Sequence, residues 1–457
     1  MDQFPILGVP DSGDTAWMLV SAAMVLLMTP GLAFFYGGMV RSKGVLNMIM
    51  MSVSAMGLVT VLWVLYGFSE SFGNDTSHVI GNPKQFFGLK GLIGASNGAA
   101  AIPAVAADPA HHIDAVKAVD AVNVPLFGTI PALVFVMFQL MFAIITVALI
   151  SGAIADRLKF GSWLVFAGLW ATIVYFPVAH WVFDGDVKNA KGAIVHHGGW
   201  ILNRLNAIDF AGGTAVHINS GAAGLALCIV LGRRKGWPGA IMRPHNLPFV
   251  MLGAGLLWFG WYGFNAGSAG SANVAAGDTF TTTTVATAAA MLAWLLVERI
   301  RDGHATSLGA ASGIVAGLVA ITPSCSSVNV LGALAIGVIG GAVCCLAVGL
   351  KFKLGFDDAL DVVGVHLVGG LTGTLLIGLF ATDTAPAAVK GLFYGGGWAQ
   401  LEKQAVGAFS VLLYSFVVSL LLGLAIKYTI GLRLDAEDEA SGIDESQHAE
   451  TAYELAQ

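Results

Sequence analysis

Residues 127–150 read FGTIPALVFVMFQLMFAIITVALI and contain no charged side chain. Apolar residues fill this stretch on every side, whereas a strand of a membrane barrel alternates apolar and polar positions over about ten residues. A helix needs about 20 apolar residues to cross the hydrocarbon core of a bilayer. The stretch therefore predicts a membrane-spanning α-helix and excludes a barrel strand.

The composition extends this prediction to the whole chain, which has 457 residues, 56% of them apolar and 11% charged. Soluble domains average about 45–50% apolar and about 25% charged residues, so this chain has too few charges for a water-facing surface. We predict an all-α integral membrane protein. Its eleven transmembrane helices are expected at residues 17–35, 45–66, 127–150, 163–183, 212–231, 249–264, 274–297, 308–321, 330–350, 362–380 and 406–430.

The distribution of Lys and Arg predicts the orientation, because basic residues concentrate in short cytoplasmic loops. An odd number of spans places the two termini on opposite sides. One set of connections is short and basic, and the other carries fewer cations over longer loops. We therefore expect the amino terminus outside and the carboxyl terminus in the cytoplasm. The basic set comprises Arg41, Lys43, Arg157, Lys159, Arg233, Arg234, Lys235, Arg243, Arg299, Arg301, Lys351 and Lys353.

Two pairs of motifs indicate an internal repeat. Phe35-Tyr-Gly-Gly and Trp261-Tyr-Gly-Phe end the first and sixth predicted helices, and His217 and His366 each lie in a Gly-rich segment of the fifth and tenth. Both pairs are five helices apart, and because five is odd the second half is inverted. Inverted repeats are a transporter architecture with the working site near the midplane. We expect repeats at 15–232 and 246–381, a terminal helix at 405–432 and an acidic cytoplasmic tail at 433–457.

His217 and His366 are ionisable residues inside apolar helices, where such residues are costly and by default suggest a function. The alternative for either one alone is a hydrogen-bonded core histidine. Their matching repeat positions favour a pair of imidazoles meeting at the pseudo-twofold axis and lining a pore. Such a pair would titrate as one coupled unit.

Aromatic residues and a hydroxyl mark a predicted outer approach to this pore: Phe138, Phe142, Trp261, Phe264 and Ser268. A ring face attracts a small cation, and a hydroxyl accepts a hydrogen bond from it. Packing against lipid or core is the alternative for each aromatic residue.

Asp209 precedes the fifth helix and either attracts cations or caps the helix, and we favour the cap.

The sequence predicts no metal site, no metalloprotease site and no ATP-binding site. The loop histidines in His111-His112 and His196-His197 lack a third ligand at fixed spacing, so no metal or other cofactor is expected. The sequence has no His-Glu-x-x-His motif and no Gly-Lys-Ser/Thr phosphate loop, so neither a metalloprotease nor an ATP-driven pump is supported. We expect the chain not to be an enzyme.

The chain resembles the ammonium transporter (Amt/Mep/Rh) family, and specifically its Amt type, over nearly its whole length. The resemblance lies in Pro30-Gly-Leu-Ala-Phe-Phe-Tyr-Gly-Gly, Asp209-Phe-Ala-Gly-Gly-Thr-Ala-Val-His-Ile-Asn, Pro244-His-Asn-Leu-Pro, Gly260-Trp-Tyr-Gly-Phe-Asn-Ala-Gly-Ser and Asp361-Val-Val-Gly-Val-His.

This resemblance implies a homotrimer in the plasma membrane, with one ammonium pore in each eleven-helix subunit. Phe142 and Phe264 would form the gate, Ser268 would supply the recruitment hydroxyl, and Asp209 would lie below the outer site. The tail resembles the family's regulatory carboxyl terminus and implies a PII-type signal protein as a cytoplasmic partner.

One position departs from the family pattern, because Phe183 stands where a second tryptophan is familiar after Ala179-His-Trp-Val. Phe offers a weaker cation face than Trp and no indole N–H. Outer binding is therefore expected to be looser, unless Trp181 leans in to substitute. An ammonium sensor that binds at the same outer site without conduction, and an Rh-like channel for neutral ammonia, remain as alternative functions.

Overall fold

The computed structural model describes residues 4–94, 98–107, 111, 115–239 and 243–453. Within these ranges ten helices are long and apolar enough to cross a membrane, and an eleventh apolar helix is shorter. The prediction of a helical membrane protein is confirmed. In chain order the helices are α1 (Ser12–Met39), α2 (Val45–Phe72), α3 (Ala132–Ile154), α4 (Phe160–Phe183), α5 (Gly213–Leu231), α6 (Leu247–Gly267), α7 (Val274–Asp302), α8 (Ser307–Ile321), α9 (Val330–Leu354), α10 (Val363–Phe380) and α11 (Ala399–Thr429).

The count of eleven spans depends on α8, which has 15 residues. At 1.5 Å per residue it is about 22 Å long, shorter than the hydrocarbon core of about 30 Å. Eleven spans therefore stay a prediction. The start of the third span is also corrected: residues 127–131 were predicted as helix, but Phe127 ends a strand and α3 begins only at Ala132. Pro131 occupies the N-cap of α3, where its missing N–H costs no helical hydrogen bond.

Short strands and turns occupy the long connections. β1 pairs antiparallel with β4, which pairs antiparallel with β5, while β2–β3 and β6–β7 form separate antiparallel hairpins. The tail folds into two short helices, α12 (Ala436–Ser441) and α13 (Ile443–His448), and its last four residues, 454–457, lie outside the described ranges. The strands are β1 (Ile6–Gly8), β2 (Asp75–Thr76), β3 (Ile80–Gly81), β4 (Val124–Phe127), β5 (Ile130–Pro131), β6 (Val187–Lys188) and β7 (Ile194–His196).

Both helices that carry a predicted pore histidine begin with a wider, π-helical turn. His217 lies in the turn Gly213–Ile218 of α5, and His366 lies in the turn Val363–Leu367 of α10. Single π-helical turns are uncommon and are frequent at functional sites. Three other π-helical turns occur in the described residues, at Trp63–Gly67, Ala171–Tyr175 and Ile201–Leu205. The shared feature of the two histidines is therefore their equivalent place in the first turn of α5 and α10.

Glycines allow α5 and α10 to cross at very short distance. A Cβ atom on Gly221 of α5 would lie 2.5 Å from the backbone nitrogen of Leu367, and one on Gly370 of α10 would lie 2.9 Å from the carbonyl oxygen of Gly213. Real side-chain atoms do not fit at such separations, so only glycine permits this approach. Small residues serve the same purpose in many membrane helix pairs. This crossing places His217 beside His366.

A second close crossing joins α7 and α9 and leads to a test of the packing. A Cβ atom on Gly341 of α9 would lie 2.8 Å from the Cα atom of Ala290 in α7, whereas one on Gly255 of α6 would meet nothing within 4 Å. Both glycines lie inside helices, so replacement by alanine gives each the same gain in helix propensity, about 1 kcal/mol. Only the Gly341 substitution forces two backbones apart.

We expect Gly341→Ala to lower the melting temperature of the purified protein in detergent, because overpacking costs about 1–3 kcal/mol. Gly255→Ala is the matched control and should melt at or above the wild-type temperature. Equal melting temperatures for the two variants would contradict the proposed tight α7–α9 contact.

Candidate functional site

A wide vestibule opens at one end of the helix bundle and has a volume of about 580 Å³. Helices α3 and α4, the segment before α5, and the segment after α6 contribute to its wall. Its lining includes three of the five residues predicted for the outer approach, together with Phe183 and Asp209. The three are Phe138, Phe142 and Ser268.

Two stacked phenylalanines separate the vestibule from a deeper cavity. The ring centroids of Phe142 and Phe264 lie 4.1 Å apart with planes 19° from parallel. Phe142 lines the vestibule and Phe264 lines the deeper cavity. Phe138 packs against Phe142 at 5.0 Å, and Phe183 meets Phe142 edge-on at 6.1 Å. The predicted gate residues are therefore in contact, and both are buried.

Ser268 lies one helical turn beyond Phe264 and faces the vestibule. Its hydroxyl donates to the carbonyl oxygen of Phe264 at 2.8 Å. Because a hydroxyl carries one hydrogen and two lone pairs, this bond uses the hydrogen and leaves the oxygen able to accept. The oriented Ser268 oxygen suits a ligand that donates hydrogen bonds, such as a small cation.

His217 and His366 meet directly below the gate. Their Nδ1 atoms are 3.2 Å apart, and their rings are stacked with centroids 5.3 Å apart. One Nδ1 must carry a hydrogen and the other must accept it, so the two imidazoles share one hydrogen at this contact. The Nε2 atom of His217 is buried and makes no hydrogen bond to the described residues.

The cavity around the two histidines is narrow and apolar, with a volume of about 10 Å³. This is close to the smallest space that can hold one water molecule. Apart from the histidines and Trp261, the wall consists of aliphatic side chains, methionine and the gate ring of Phe264. The aliphatic and methionine residues are Met28, Leu32, Ile145, Leu149, Val216, Leu257 and Val315.

The structure places Trp261 below the gate, apart from the other predicted outer residues. Its ring stacks on His217 with centroids 5.4 Å apart, and its indole N–H donates to the Thr322 hydroxyl at 2.8 Å. The predicted outer approach is therefore corrected for Trp261, which lines the histidine cavity and is separated from the vestibule by Phe264.

Trp181 also differs from the expectation that it might replace the missing tryptophan. Its indole N–H donates to the carbonyl oxygen of Val79 at 2.6 Å, and its ring packs against Tyr414 at 4.8 Å. Of Trp181 and Phe183, only Phe183 lines the vestibule.

Asp209 has the geometry of a helix cap. Its carboxylate accepts hydrogen bonds from the backbone N–H groups of Gly212 at 2.8 Å, Gly213 at 2.6 Å and Thr214 at 2.7 Å. It also accepts from the Thr214 hydroxyl and from the N–H of Ala215. These groups are the unpaired donors at the start of α5, so the carboxylate fixes the turn that carries His217.

Asp358 is the equivalent cap of α10, and sequence reasoning missed it. Its buried carboxylate accepts from the N–H groups of Val362 at 3.1 Å and Val363 at 2.7 Å. Asp358 precedes His366 by the same number of residues as Asp209 precedes His217. This equal spacing is the sequence signal for the cap. Asp361 instead pairs with Lys351 at 2.6 Å.

His196 of the second loop pair has a structural partner. His196 lies 2.9 Å from both carboxylate oxygens of Asp184. In the described ranges no group of three histidine, cysteine or acidic side chains is placed to hold a metal ion. His112 of the first loop pair lies outside those ranges.

Comparison with known proteins gives consistent similarities. Residues 16–453 match the model of the Ammonium Transporter Family. An ammonium transporter of Mycobacterium tuberculosis (strain ATCC 25618 / H37Rv) is 72% identical, with 100% of this chain and 93% of the relative aligned. The crystal structure of Saccharomyces cerevisiae Mep2 superposes with a TM-score of 0.79 at 32% identity, covering 94% of this chain and 88% of Mep2. A solved protein described as Sensor Amt Protein superposes with a TM-score of 0.80 at 27% identity, covering 95% and 98%.

The cap geometry predicts that Asp209→Ala destabilises the folded protein. Each buried donor left without a partner costs about 1–3 kcal/mol, and the substitution strips several donors at once. We expect a clear fall in the melting temperature in detergent. Asp383→Ala is the control, because Asp383 pairs with Lys390 at 3.0 Å where both side chains are half exposed, and such surface pairs contribute about 0–1 kcal/mol. Similar melting temperatures for both variants would refute the capping role.

Proposed function

We propose, on the premise that this chain belongs to the ammonium transporter family, that ammonium is bound in the vestibule as a cation and crosses the membrane as ammonia. The chain is a multi-pass membrane protein and its substrate is ammonium. In the proposed mechanism the cation loses a proton near the Phe142–Phe264 gate, the neutral molecule passes His217 and His366, and a proton is regained inside. The observation that carries the proposal is the buried histidine pair in a cavity of about 10 Å³ beneath stacked rings.

The cost of dehydration favours the neutral form. Moving an ammonium-sized ion into a dry medium costs about 20 kcal/mol in the idealised limit, and several kcal/mol after relaxation. A cation–π contact returns about 2 kcal/mol and a charge-assisted hydrogen bond about 1.5–3 kcal/mol. With the lysine reference pKa of about 10.4 as a stand-in for ammonium, loss of the proton at pH 7 costs about 4–5 kcal/mol. Deprotonation is therefore the cheaper route.

The dimensions below the gate support the same conclusion. A cavity of about 10 Å³ has no room for a hydration shell around an ion. A neutral ammonia molecule needs only a few hydrogen bonds, and the unpartnered Nε2 atom of His217 is available for one of them. Potassium has no proton to lose, so the same path rejects it.

The vestibule supports recruitment of the charged form. The oriented oxygen of Ser268 accepts hydrogen bonds, and the Phe183 and Phe138 rings lie on the same wall. This acceptor-rich and aromatic surface favours a cation over a neutral gas, which weighs against an Rh-like channel.

We further propose that the basic loops and the tail face the cytoplasm together. Asp444 of the tail accepts hydrogen bonds from the N–H groups of Leu46 at 3.1 Å and Asn47 at 2.7 Å, which start α2 after the basic loop. Arg433 pairs with Glu439 at 2.7 Å, and the other carboxylate oxygen of Glu439 accepts from the N–H of Lys235. The tail thus contacts two of the basic connections. The homotrimer and the PII-type partner remain expectations from the family resemblance.

The alternative function is an ammonium sensor. The structural similarity to a protein described as Sensor Amt Protein is the observation that favours this alternative. A sensor would bind ammonium at the vestibule and pass no substrate, so a measurement of conduction separates the two functions.

The first test is an ammonium concentration jump on proteoliposomes adsorbed to a solid-supported membrane. We expect a transient current for the wild type that potassium does not reproduce. In the double variant His217→Ala, His366→Ala the current should be lost or should lose its selectivity, because the paired imidazoles are gone. His304→Ala is the control, since His304 is exposed in a loop and should leave the current unchanged.

Absence of a wild-type current leads to a second measurement on the same vesicles. Stopped-flow recording of internal pH detects neutral ammonia flux. A protein that shows neither current nor pH change conducts nothing, and that result would reject transport in favour of the sensor.

The Phe183 position gives a separate prediction about affinity. We expect Phe183→Trp to lower the half-saturating ammonium concentration about two- to fivefold, because Trp provides a stronger cation face worth about 0.5–1 kcal/mol. Phe259→Trp on the exposed face of α6 is the control, since its ring is 54% exposed in the subunit and lies outside the vestibule wall. An unchanged or higher half-saturating concentration for Phe183→Trp would show that this ring does not contact the cation.

A further inference from the structure

Four buried side chains form an alternating row of carboxylates and imidazoles at the outer end of α4. His180 Nε2 lies 3.2 Å from Asp75 Oδ1, and His180 Nδ1 lies 3.2 Å from Asp184 Oδ2. His196 Nε2 lies 2.9 Å from both oxygens of Asp184. The proposed transport mechanism uses none of these groups. We refer to Asp75, His180, Asp184 and His196 as the outer relay.

The geometry assigns the protons of the outer relay. Both ring nitrogens of His180 face only acceptors, because Nδ1 is also 3.1 Å from the carbonyl oxygen of Ser71. A carbonyl group cannot donate, so Nδ1 of His180 carries a hydrogen that is directed at Ser71, while Nε2 faces the Asp75 carboxylate. The ring is thereby fixed between Ser71, Asp75 and Asp184.

Asp184 is held through its backbone as well as through its carboxylate. Beyond its contacts to His180 and His196, its backbone carbonyl oxygen accepts from the N–H of Gly199 and from the side-chain amide of Asn203, both at 2.9 Å. Asp184 directly follows the last residue of α4. The final turn of a helix lacks partners for its carbonyl groups and tends to fray, so these anchors hold the end of α4 in place.

The last residue of α4 is Phe183, whose ring lines the vestibule and meets the gate ring of Phe142. Phe183 is only partly buried, so fewer neighbours restrain its position than restrain Phe142 or Phe264. The backbone of Phe183 is continuous with that of the anchored residue Asp184. Displacement of Asp184 would therefore move the ring that faces the substrate.

We propose that Asp184 is a positioning residue, which holds the Phe183 ring at the vestibule through its contacts with His180 and His196 and thereby sets the affinity for ammonium. The inference rests on the proposed function of the vestibule. It differs from a general effect of negative charge, because the Asp184 carboxylate is buried and engaged by two imidazoles.

Asp186 provides the matched control for charge. Its carboxylate lies two residues farther along the same segment, is exposed, and accepts from the N–H of Gly198 at 2.8 Å. Asp184→Asn and Asp186→Asn each remove one negative charge near the vestibule. Only Asp184→Asn places an amide N–H₂ group against imidazole N–H donors and loosens the anchor.

The experiment measures current against ammonium concentration for full-length protein in proteoliposomes. For Asp184→Asn we expect the half-saturating concentration to rise about three- to tenfold, with the maximal current within about twofold of wild type. Asp186→Asn should change neither quantity. Equal increases in both variants would indicate a charge effect, and no increase in either would leave Asp184 without the proposed role; both results overturn the inference.

A double-variant comparison tests whether Asp184 acts through Phe183. In a Phe183→Ala background, adding Asp184→Asn should produce no further rise in the half-saturating concentration, because the positioned ring is absent. A residue needed only for folding would still lower the maximal current and the melting temperature in that background. A persistent effect of Asp184→Asn without the ring would overturn the inference.

The His196→Phe variant provides the same test if the Asp184→Asn variant does not fold. This substitution retains a ring to stack on Phe4, which lies 4.0 Å from the His196 ring, and removes only the donor to Asp184. It should reproduce the shift in half-saturation, and an unchanged value would count against the proposal.

Failure of the proposed function is distinguishable from failure of the inference. If the wild type shows neither a current nor a change of internal pH, the same variants are compared for ammonium binding by isothermal titration calorimetry. A weakened affinity in Asp184→Asn alone would support the positioning role in a sensor, whereas wild-type protein that binds no ammonium would overturn both.

Discussion

The close crossing of α5 and α10 is the contact on which the remainder of the site depends. Gly221 and Gly370 lie against the backbone of the opposite helix, where a methyl group would collide with it. This separation brings the Nδ1 atoms of His217 and His366 to 3.2 Å. Two bulky residues at those positions would separate the imidazoles and open the cavity between them. The contact between the two imidazoles in the apolar path thus depends on the absence of a side chain at Gly221 and Gly370.

The start of each of these helices is equally constrained. Asp209 and Asp358 supply carboxylate caps to α5 and α10, and both helices then pass through a π-helical turn that contains the histidine. A cap satisfies donors that would otherwise be buried without partners, since no water is available inside the bilayer. Helix start, wide turn and imidazole therefore form one unit, and the unit occurs twice.

Hydropathy predicted most of the fold from the sequence, because a span must be long and apolar whatever surrounds it. It was wrong at the start of α3, where residues 126–127 pair with residues 130–131 as a hairpin instead of continuing the helix, and the eighth span stays a prediction because α8 is short. For the site, the sequence motif correctly grouped Trp261, Phe264 and Ser268 at the end of one helix, where Ser268 is the C-cap residue. It did not give their depth, and at 1.5 Å per residue Trp261 and Ser268 are about 10 Å apart along the axis. That separation places Trp261 below the gate and Ser268 above it.

The equivalence of the two histidine units has a consequence for direction. In the proposed mechanism each imidazole can donate or accept at the shared Nδ1 contact, so this contact favours neither direction of passage. Net movement through the proposed pore would therefore follow the gradients of substrate and protons. The asymmetry of the molecule resides elsewhere, in the vestibule with Ser268 and Phe183 at one end and in the tail bound to the basic loops at the other. The proposed transport path combines a centre that favours neither direction with two unlike ends.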